Sequence, residues 1–398
     1  MRYLFCAMTT PGHLFPMVGL ALELQRRGHE VAFATGCSAD PVLHDAGLPR
    51  IAGGDREGTT FEMKRWAPPL TVALDVKHIE RAVRGFRPDA LVSSLFAIGA
   101  LIVRERTGLP VCVVGTMAYL WPRRTAGQIL FPGCERLASW RFGQMAETLD
   151  RARAVFGLRA PHDPSRPYPL LGDVFLLRSV PELESNVTSL PPEVRVVGAC
   201  EWAPPSDVGA AWQRLAEQSP GRGPIIYVHQ GQTFGQPSFW PVLVEALGDR
   251  PVRVFASVGR MDSPVGVVPK NFVVQAHVPQ SAVLPRADLV VCGGHSSVVL
   301  GALTHGLPMV VLPAQGGEMP DNTARLERAG CAARLDPATA TPTVLRAAVD
   351  AALRDNALRQ NARCMREAFQ RFDGFHAAAE AVEHVVSPVT PAVDAAAL

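Results

Sequence analysis

The chain has 398 residues, 47% of them apolar and 19% charged, with 39 Lys and Arg against 37 Asp and Glu. At roughly 150 residues per domain this length gives two or three domains, and two halves of about 200 residues fit, each able to bury a core. A formal charge of +2 without a basic stripe argues against a nucleic-acid partner, and no apolar run is long enough for a membrane span. The eight cysteines lack CxxC spacing, and the first apolar strand follows Met1-Arg2 too closely for a secretory leader, so reduced, buried thiols in a cytoplasmic protein are expected.

Arg2 to Met8 reads as a strand, Thr9 to Leu14 as a loop, and Pro16 to Arg27 as a helix ended by Gly28, with proline first and glycine last. His29 to Thr35 resumes as a strand, and His29 itself reads as a packing or capping residue. An imidazole at the mouth of a helix N-terminus has its pKa pushed down and stays neutral near pH 7, which makes His13 a candidate proton acceptor. Gly53 to Ala73 is irregular; its Phe61, Met63 and Trp66 either line a greasy pocket or anchor the loop.

Pro88 to Ser94 is a strand, Ala97 to Thr107 a helix and Pro110 to Val114 the next strand. Met117 to Arg159 holds two amphipathic helical stretches bearing Trp121, Phe131, Trp140 and Phe142, and Phe175 to Leu177 and Val194 to Gly198 are strands. The proline-rich tract Trp202 to Ser206 is a linker. Pro224 to Val228 then runs into the polar turn from His229 to Thr233, echoing the first strand and loop as a weak duplication should. Val252 to Ser257 and Phe272 to Val274 are further strands.

Between Asp288 and Cys331 the chain carries its most informative pattern. Leu289 to Cys292 is a short apolar strand, Gly293-Gly294 breaks it, and Ser296-Ser297 stand at an N-cap before the periodic segment Val298 to His305. Gly306 stops that helix and Met309 to Leu312 is a second buried strand, completing a right-handed crossover. The unsatisfied N–H groups at the helix start, at the positive end of its dipole, suit a phosphate or diphosphate. Gln315 to Asn322 is a polar, glycine-rich loop at the carboxyl end of a parallel strand, where open α/β sheets bind ligands.

Three spaced motifs, TTPGHLFPMVGLALELQRRGHEV near the start, AHVPQSAVLPRADLVV and the 288–331 unit, together resemble the nucleotide-sugar glycosyltransferases of the GT-B fold. The branch is that of bacterial natural products, related to plant and animal glucosyl and glucuronosyl transferases, and the resemblance runs from about residue 1 to about residue 385. It implies an α/β protein of two Rossmann-like parallel-sheet domains facing a central cleft. Residues 1–203 would form the acceptor domain, 204–372 the donor domain, 373–386 a helix crossing back onto the first domain, and 387–398 a frayed tail.

The same resemblance assigns the site residues. His13 would be the general base, with Ser94 where the family has an aspartate that steadies the protonated histidine. A serine can orient the ring but cannot offset its charge, which suits an acceptor hydroxyl that is already acidic, or a reaction carried by positioning. Gly231, Gln232 and Thr233 would lie near the diphosphate; His277, replacing a stacking tryptophan, with Val278 and Gln280 would take the donor base. At the diphosphate turn, Gly294 is followed by a displaced His295; either His295 meets the phosphate or the backbone with Ser296 and Ser297 does. In the sugar loop Glu318 keeps the acid, while Met319 replaces a glutamine and cannot donate a hydrogen bond, pointing to a deoxysugar donor. Phe61, Met63, Trp66, Phe96 and Met117 would face the acceptor.

The expected reaction is inverting transfer from a dTDP- or UDP-sugar co-substrate to a hydrophobic aglycone. No DxD pair occurs, so no metal and no cofactor are expected, and a homodimer stays open. The nearest rival is a GT-B epimerase or phosphorylase, but an epimerase would need paired acids around the sugar, and a hydride-transfer enzyme a GxGxxG after a strand; neither stands out. From another class, the altered Ser94, His295 and Met319 fit a catalytically silent helper that activates a partner transferase.

Overall fold

The computed structural model of the protein describes all residues except 55–56, 117–119, 122–134, 159–167, 185–189, 206–207, 219–222, 231–238, 260–265, 277, 314–316 and 387–398. Two parallel six-stranded sheets organise it. The first holds β1 (Arg2–Ala7), β2 (Glu30–Thr35), β3 (Ala90–Ser94), β4 (Val111–Gly115), β5 (Val174–Leu177) and β6 (Val194–Val196), in the order β2-β1-β3-β4-β5-β6. In the second are β7 (Ile225–His229), β8 (Arg253–Ser257), β9 (Phe272–Gln275), β10 (Leu289–Cys292), β11 (Met309–Val311) and β12 (Ala332–Arg334), in the order β12-β11-β10-β7-β8-β9. The inner strands β4 and β10 are continuous apolar runs because helices cover both faces and both faces must be dry.

Around the first sheet lie α1 (Pro11–Arg26), α2 (Asp40–Asp45), α3 (Pro69–Phe86), α4 (Gly99–Thr107) and α5 (Glu135–Val155). The later helices are α6 (Gly209–Gln218), α7 (Trp240–Leu247), α8 (Gln280–Val283), α9 (Ser296–Thr304), α10 (Met319–Arg328), α11 (Pro342–Arg354), α12 (Asn356–Gln370) and α13 (Gly374–Val386). The Thr341 hydroxyl and Asp355 carboxylate accept the Val344 and Leu358 N–H groups, which starts α11 and α12 where their capping residues stand.

The chain crosses between the two cores twice. Val180 and Leu183, just past β5, pack with the second sheet's core, and the buried Arg325 of α10 pairs with Glu184 at 2.7 Å. After α12, whose Ala362, Met365 and Phe369 face the second core, α13 returns its Ala378, Ala379 and Val382 to the first. Gly19 of α1 makes that return feasible: a Cβ there would sit 2.1 Å from the Phe375 ring. Glu383 accepts hydrogen bonds from Arg27 at 2.9 Å and pairs with His29 at 2.8 Å, so His29 ties α13 to the first half.

Two local expectations are corrected. The first helix begins at Pro11, not Pro16, so His13 lies in its first turn and not in a preceding loop. Pro11 at the first position forgoes an N–H that had no partner anyway, and Pro16 one turn later gives up only one ladder bond. In the 53–73 region, α3 already starts at Pro69, led by the same proline-first geometry. The expected paired helices of 117–159 lie partly outside the described residues; within them a single helix, α5, is seen. No helix among the described residues is long and apolar enough to cross a membrane.

Candidate active site

In each sheet the strand order reverses at one point, β1 beside β3 in the first and β7 beside β10 in the second. Loops leaving neighbouring strands there diverge to opposite faces and open a crevice at the carboxyl ends. The two crevices share one cavity of about 1070 Å³. Its walls come from the ends of β1 (Thr10 to His13), β3 (Phe96), β4 (Gly115, Thr116) and β5 (Arg178) on one side. On the other they come from β7 (His229), β8 (Ser257), β10 (His295 to Ser297) and the segment before α10 (Gly317 to Met319).

On the first wall, the His13 ring stands edge-on to Phe96, centroids 5.2 Å apart at 85°, and Phe96 leans on Trp66 at 5.0 Å. This apolar backing takes water from the imidazole, and burial pushes its pKa below the ordinary histidine value. The Glu318 carboxylate across the cavity works against that shift, and the Arg178 guanidinium reinforces it. His13 thus stays neutral near pH 7 and is able to take a proton.

Ser94 does not serve that histidine. Its Oγ accepts the Met8 N–H at 3.0 Å and is buried beneath the loop, so it fixes the exit of β1 and leaves the ring alone. The Phe61 expectation is also corrected: its side chain is fully buried in the core, edge-on to His78, with φ 57° and its N–H donated to Asp75 at 2.9 Å. Burial of one aromatic outweighs the left-handed backbone, and Phe61 anchors the loop while Met63 and Trp66 reach the cavity. Phe96 also lines it, and Met117 lies outside the described residues.

On the second wall, α9 starts at Ser296 with His295 as its cap residue, one position earlier than the spacing suggests. Gly294 takes φ 84°, and a Cβ there would press on Thr323 Oγ1 at 3.1 Å, so the turn needs glycine. Asn322 holds the turn, donating from Nδ2 to the Gly294 carbonyl at 2.9 Å and to Ser296 Oγ at 3.0 Å. Its Oδ1 accepts from Arg325, which links the turn to the buried pair with Glu184.

The free end of the helix is not empty of charge: the Ser296 N–H donates to Glu318 Oε1 at 2.8 Å. The Glu318 carboxylate occupies the place that suits a phosphate. His295 lines the cavity beside it, and its pKa is lowered by burial against the opposing pull of Glu318. The His295 Nδ1 has no hydrogen-bond partner among the described residues. Its ring lies 6.3 Å from that of His229, at the end of β7.

Of the other donor-side candidates, Val278, Gln280, Ser297 and Met319 line the cavity. Gly231, Gln232, Thr233 and His277 lie outside the described residues. Sequence reasoning missed His229, Arg178 and Asn322. A polar residue directly after an apolar parallel strand was the available signal for the first two, and the asparagine three residues past Met319 for the third.

Residues 245–371 match the family of erythromycin biosynthesis protein CIII-like carboxyl-terminal domains. Over 95% of this chain and 98% of its own length, 4'-demethylrebeccamycin synthase of Lentzea aerocolonigenes is 29% identical. Demethyllactenocin mycarosyltransferase of Streptomyces fradiae is 27% identical over 96% of this chain and 86% of its own. The solved kitacinnamycin glycosyltransferase has the same fold, with a TM-score of 0.73 at 23% identity over 96% of this chain and 98% of that one. Over nearly its full length the chain is thus similar to glycosyltransferases of natural-product biosynthesis, and its two parallel sheets are those of the GT-B fold.

Proposed function

We propose that the protein moves a sugar from a dTDP- or UDP-sugar onto a hydrophobic natural-product aglycone with inversion at the anomeric carbon. The observation that carries this reading is that His13 and the start of α9 face one another across a single cavity. His13 takes the proton from the acceptor hydroxyl as its oxygen bonds to the anomeric carbon. The bond from that carbon to the diphosphate oxygen breaks, and the charge on the leaving group is met by the first N–H groups of α9, Ser297 and His295.

A thioether at Met319 in the sugar pocket favours a donor lacking one hydroxyl. The two curated relatives, a rebeccamycin-type synthase and a mycarosyltransferase, support an aglycone of the antibiotic kind. The apolar acceptor wall of Met63, Trp66 and Phe96 is consistent with it. No metal takes part in this scheme, since no DxD pair stands ready to hold one and the helix terminus supplies the positive field.

A panel of dTDP- and UDP-sugars with candidate aglycones, read by nucleoside diphosphate release, tests the proposal. Turnover by wild type, unchanged by EDTA and reduced about 10²- to 10⁴-fold by His13→Ala, is expected. A fully hydroxylated hexose outcompeting deoxysugars would remove the donor assignment. Turnover untouched by His13→Ala would remove the base.

A further inference from the structure

Arg178 stands on the first wall with no ion-pair partner among the described residues. It directly follows β5, and its backbone N–H donates to the Gly115 carbonyl, which holds it beside Gly115 and Thr116 in the acceptor half of the cavity. Only 7% of its surface is exposed. A cation that deep costs several kcal/mol unless it is paired, yet among the described residues its side chain has a single hydrogen bond, from Nε to the Ala199 carbonyl at 2.8 Å.

The carboxylates that face it are engaged elsewhere. Glu201 accepts from the Thr304 hydroxyl at 2.8 Å, and Glu318 accepts the Ser296 N–H at 2.8 Å. Neither forms an ion pair with Arg178, whose terminal nitrogens have no hydrogen bond among the described residues. The buried Arg325 shows the contrast: it pairs with Glu184 at 2.7 Å and with Asp321 at 3.4 Å.

We propose that Arg178 reads an ionised oxygen on the acceptor, a carboxylate or phenolate, so that the cleft selects acidic aglycones; this rests on the transferase reading above. The leaving diphosphate is the other anion in the reaction, but its charge is met on the opposite wall by α9, Ser297 and His295. Arg178 stands instead on the wall with His13, Phe96 and Trp66. An anion seated there also cancels the one cationic influence that weakens His13 as a base. That cancellation supplies from the substrate part of what Ser94 does not.

The test is calorimetry on the full chain saturated with UDP or dTDP, using 6-hydroxy-2-naphthoate and its methyl ester as a matched acid and neutral pair. Wild type is expected to bind the acid about tenfold or more tightly than the ester, as a charge-assisted bidentate contact does. Arg178→Gln should erase the preference and Arg178→Lys keep part of it, with UDP affinity intact in both as proof of a folded cleft. Wild type binding neither probe, or the ester as well as the acid, overturns the proposal. So does a loss of UDP affinity in Arg178→Gln with the acid preference retained, since the guanidinium would then serve the leaving group. Failure of the transferase reading appears separately, as wild type that binds no nucleoside diphosphate.

Discussion

Replacing Glu318 with alanine should strengthen the binding of a free nucleoside diphosphate while weakening sugar transfer. The reason lies in the 2.8 Å bond from the Ser296 N–H to Glu318 Oε1, which places a carboxylate where the diphosphate must go. A carboxylate at a helix N-terminus contributes about 0.3–1 kcal/mol when exposed and up to about 2 kcal/mol when partly buried. Glu318 is partly buried, so displacing it costs an incoming diphosphate about 1–2 kcal/mol, which converts to about 5- to 30-fold in affinity. Calorimetry with UDP and dTDP should show that gain in Glu318→Ala, and Glu318→Gln should follow in the same direction because it keeps the size and loses the charge. With the intact nucleotide sugar, kcat/KM should fall as the sugar loses its acid partner. Because Glu318 raises the His13 pKa, its removal should also carry the acid limb of the rate profile to lower pH. If both variants bound the free nucleotides less tightly than wild type, the carboxylate would be a ligand of the diphosphate's surroundings and not its rival, and the reasoning would fail.

Other outcomes follow from the same structure. His13 acts only when neutral, so kcat/KM should rise with pH through its pKa; burial lowers that value, and the midpoint of the rise should fall below the ordinary histidine value of about 6.5. A midpoint above it in a pH profile would contradict the buried geometry. Arg325→Ala removes the buried cation that faces Glu184 and Asp321, and a thermal or urea melt should record a loss of about 3–5 kcal/mol. Asp75 is buried, and its pKa is raised to about 7 by that burial, against the opposing Phe61 N–H. The folded state therefore holds its proton more tightly than the unfolded chain, and stability is lost as pH rises from 3.8 towards about 7. Asp75→Asn should match wild type near pH 4 and melt at a higher temperature at pH 8; equal melting at both would show that the carboxyl is not desolvated.

Both βαβ frames were legible because their signals are local. The run Leu289 to Cys292, the glycine break and the serine pair name a strand, a turn and a helix start within a dozen residues, and the helix begins one residue from where the pattern puts it. The first helix was displaced by five residues because two prolines, Pro11 and Pro16, both satisfy the rule for a helix start, and spacing alone cannot rank them. His13, Trp66, Phe96 and Glu318 could be singled out by their places in loops and strand ends, and all four line the cavity.

The sequence by itself determined the alternation of strand and helix, the glycine turn before α9 and the residue types available at the carboxyl ends of the strands. These depend on periodicity and backbone preference over a few residues. Only the tertiary structure decided which polar atom meets which. Ser94 is taken by Met8 across 86 residues, Phe61 by Asp75 across 14, and the end of α9 by Glu318 across 22. Among the described residues, Arg178 is left facing a cleft with one neutral side-chain partner. Hydrogen bonds and ion pairs are short-ranged and directional, so their outcome is set by the packing of distant elements, and no pattern along the chain records it.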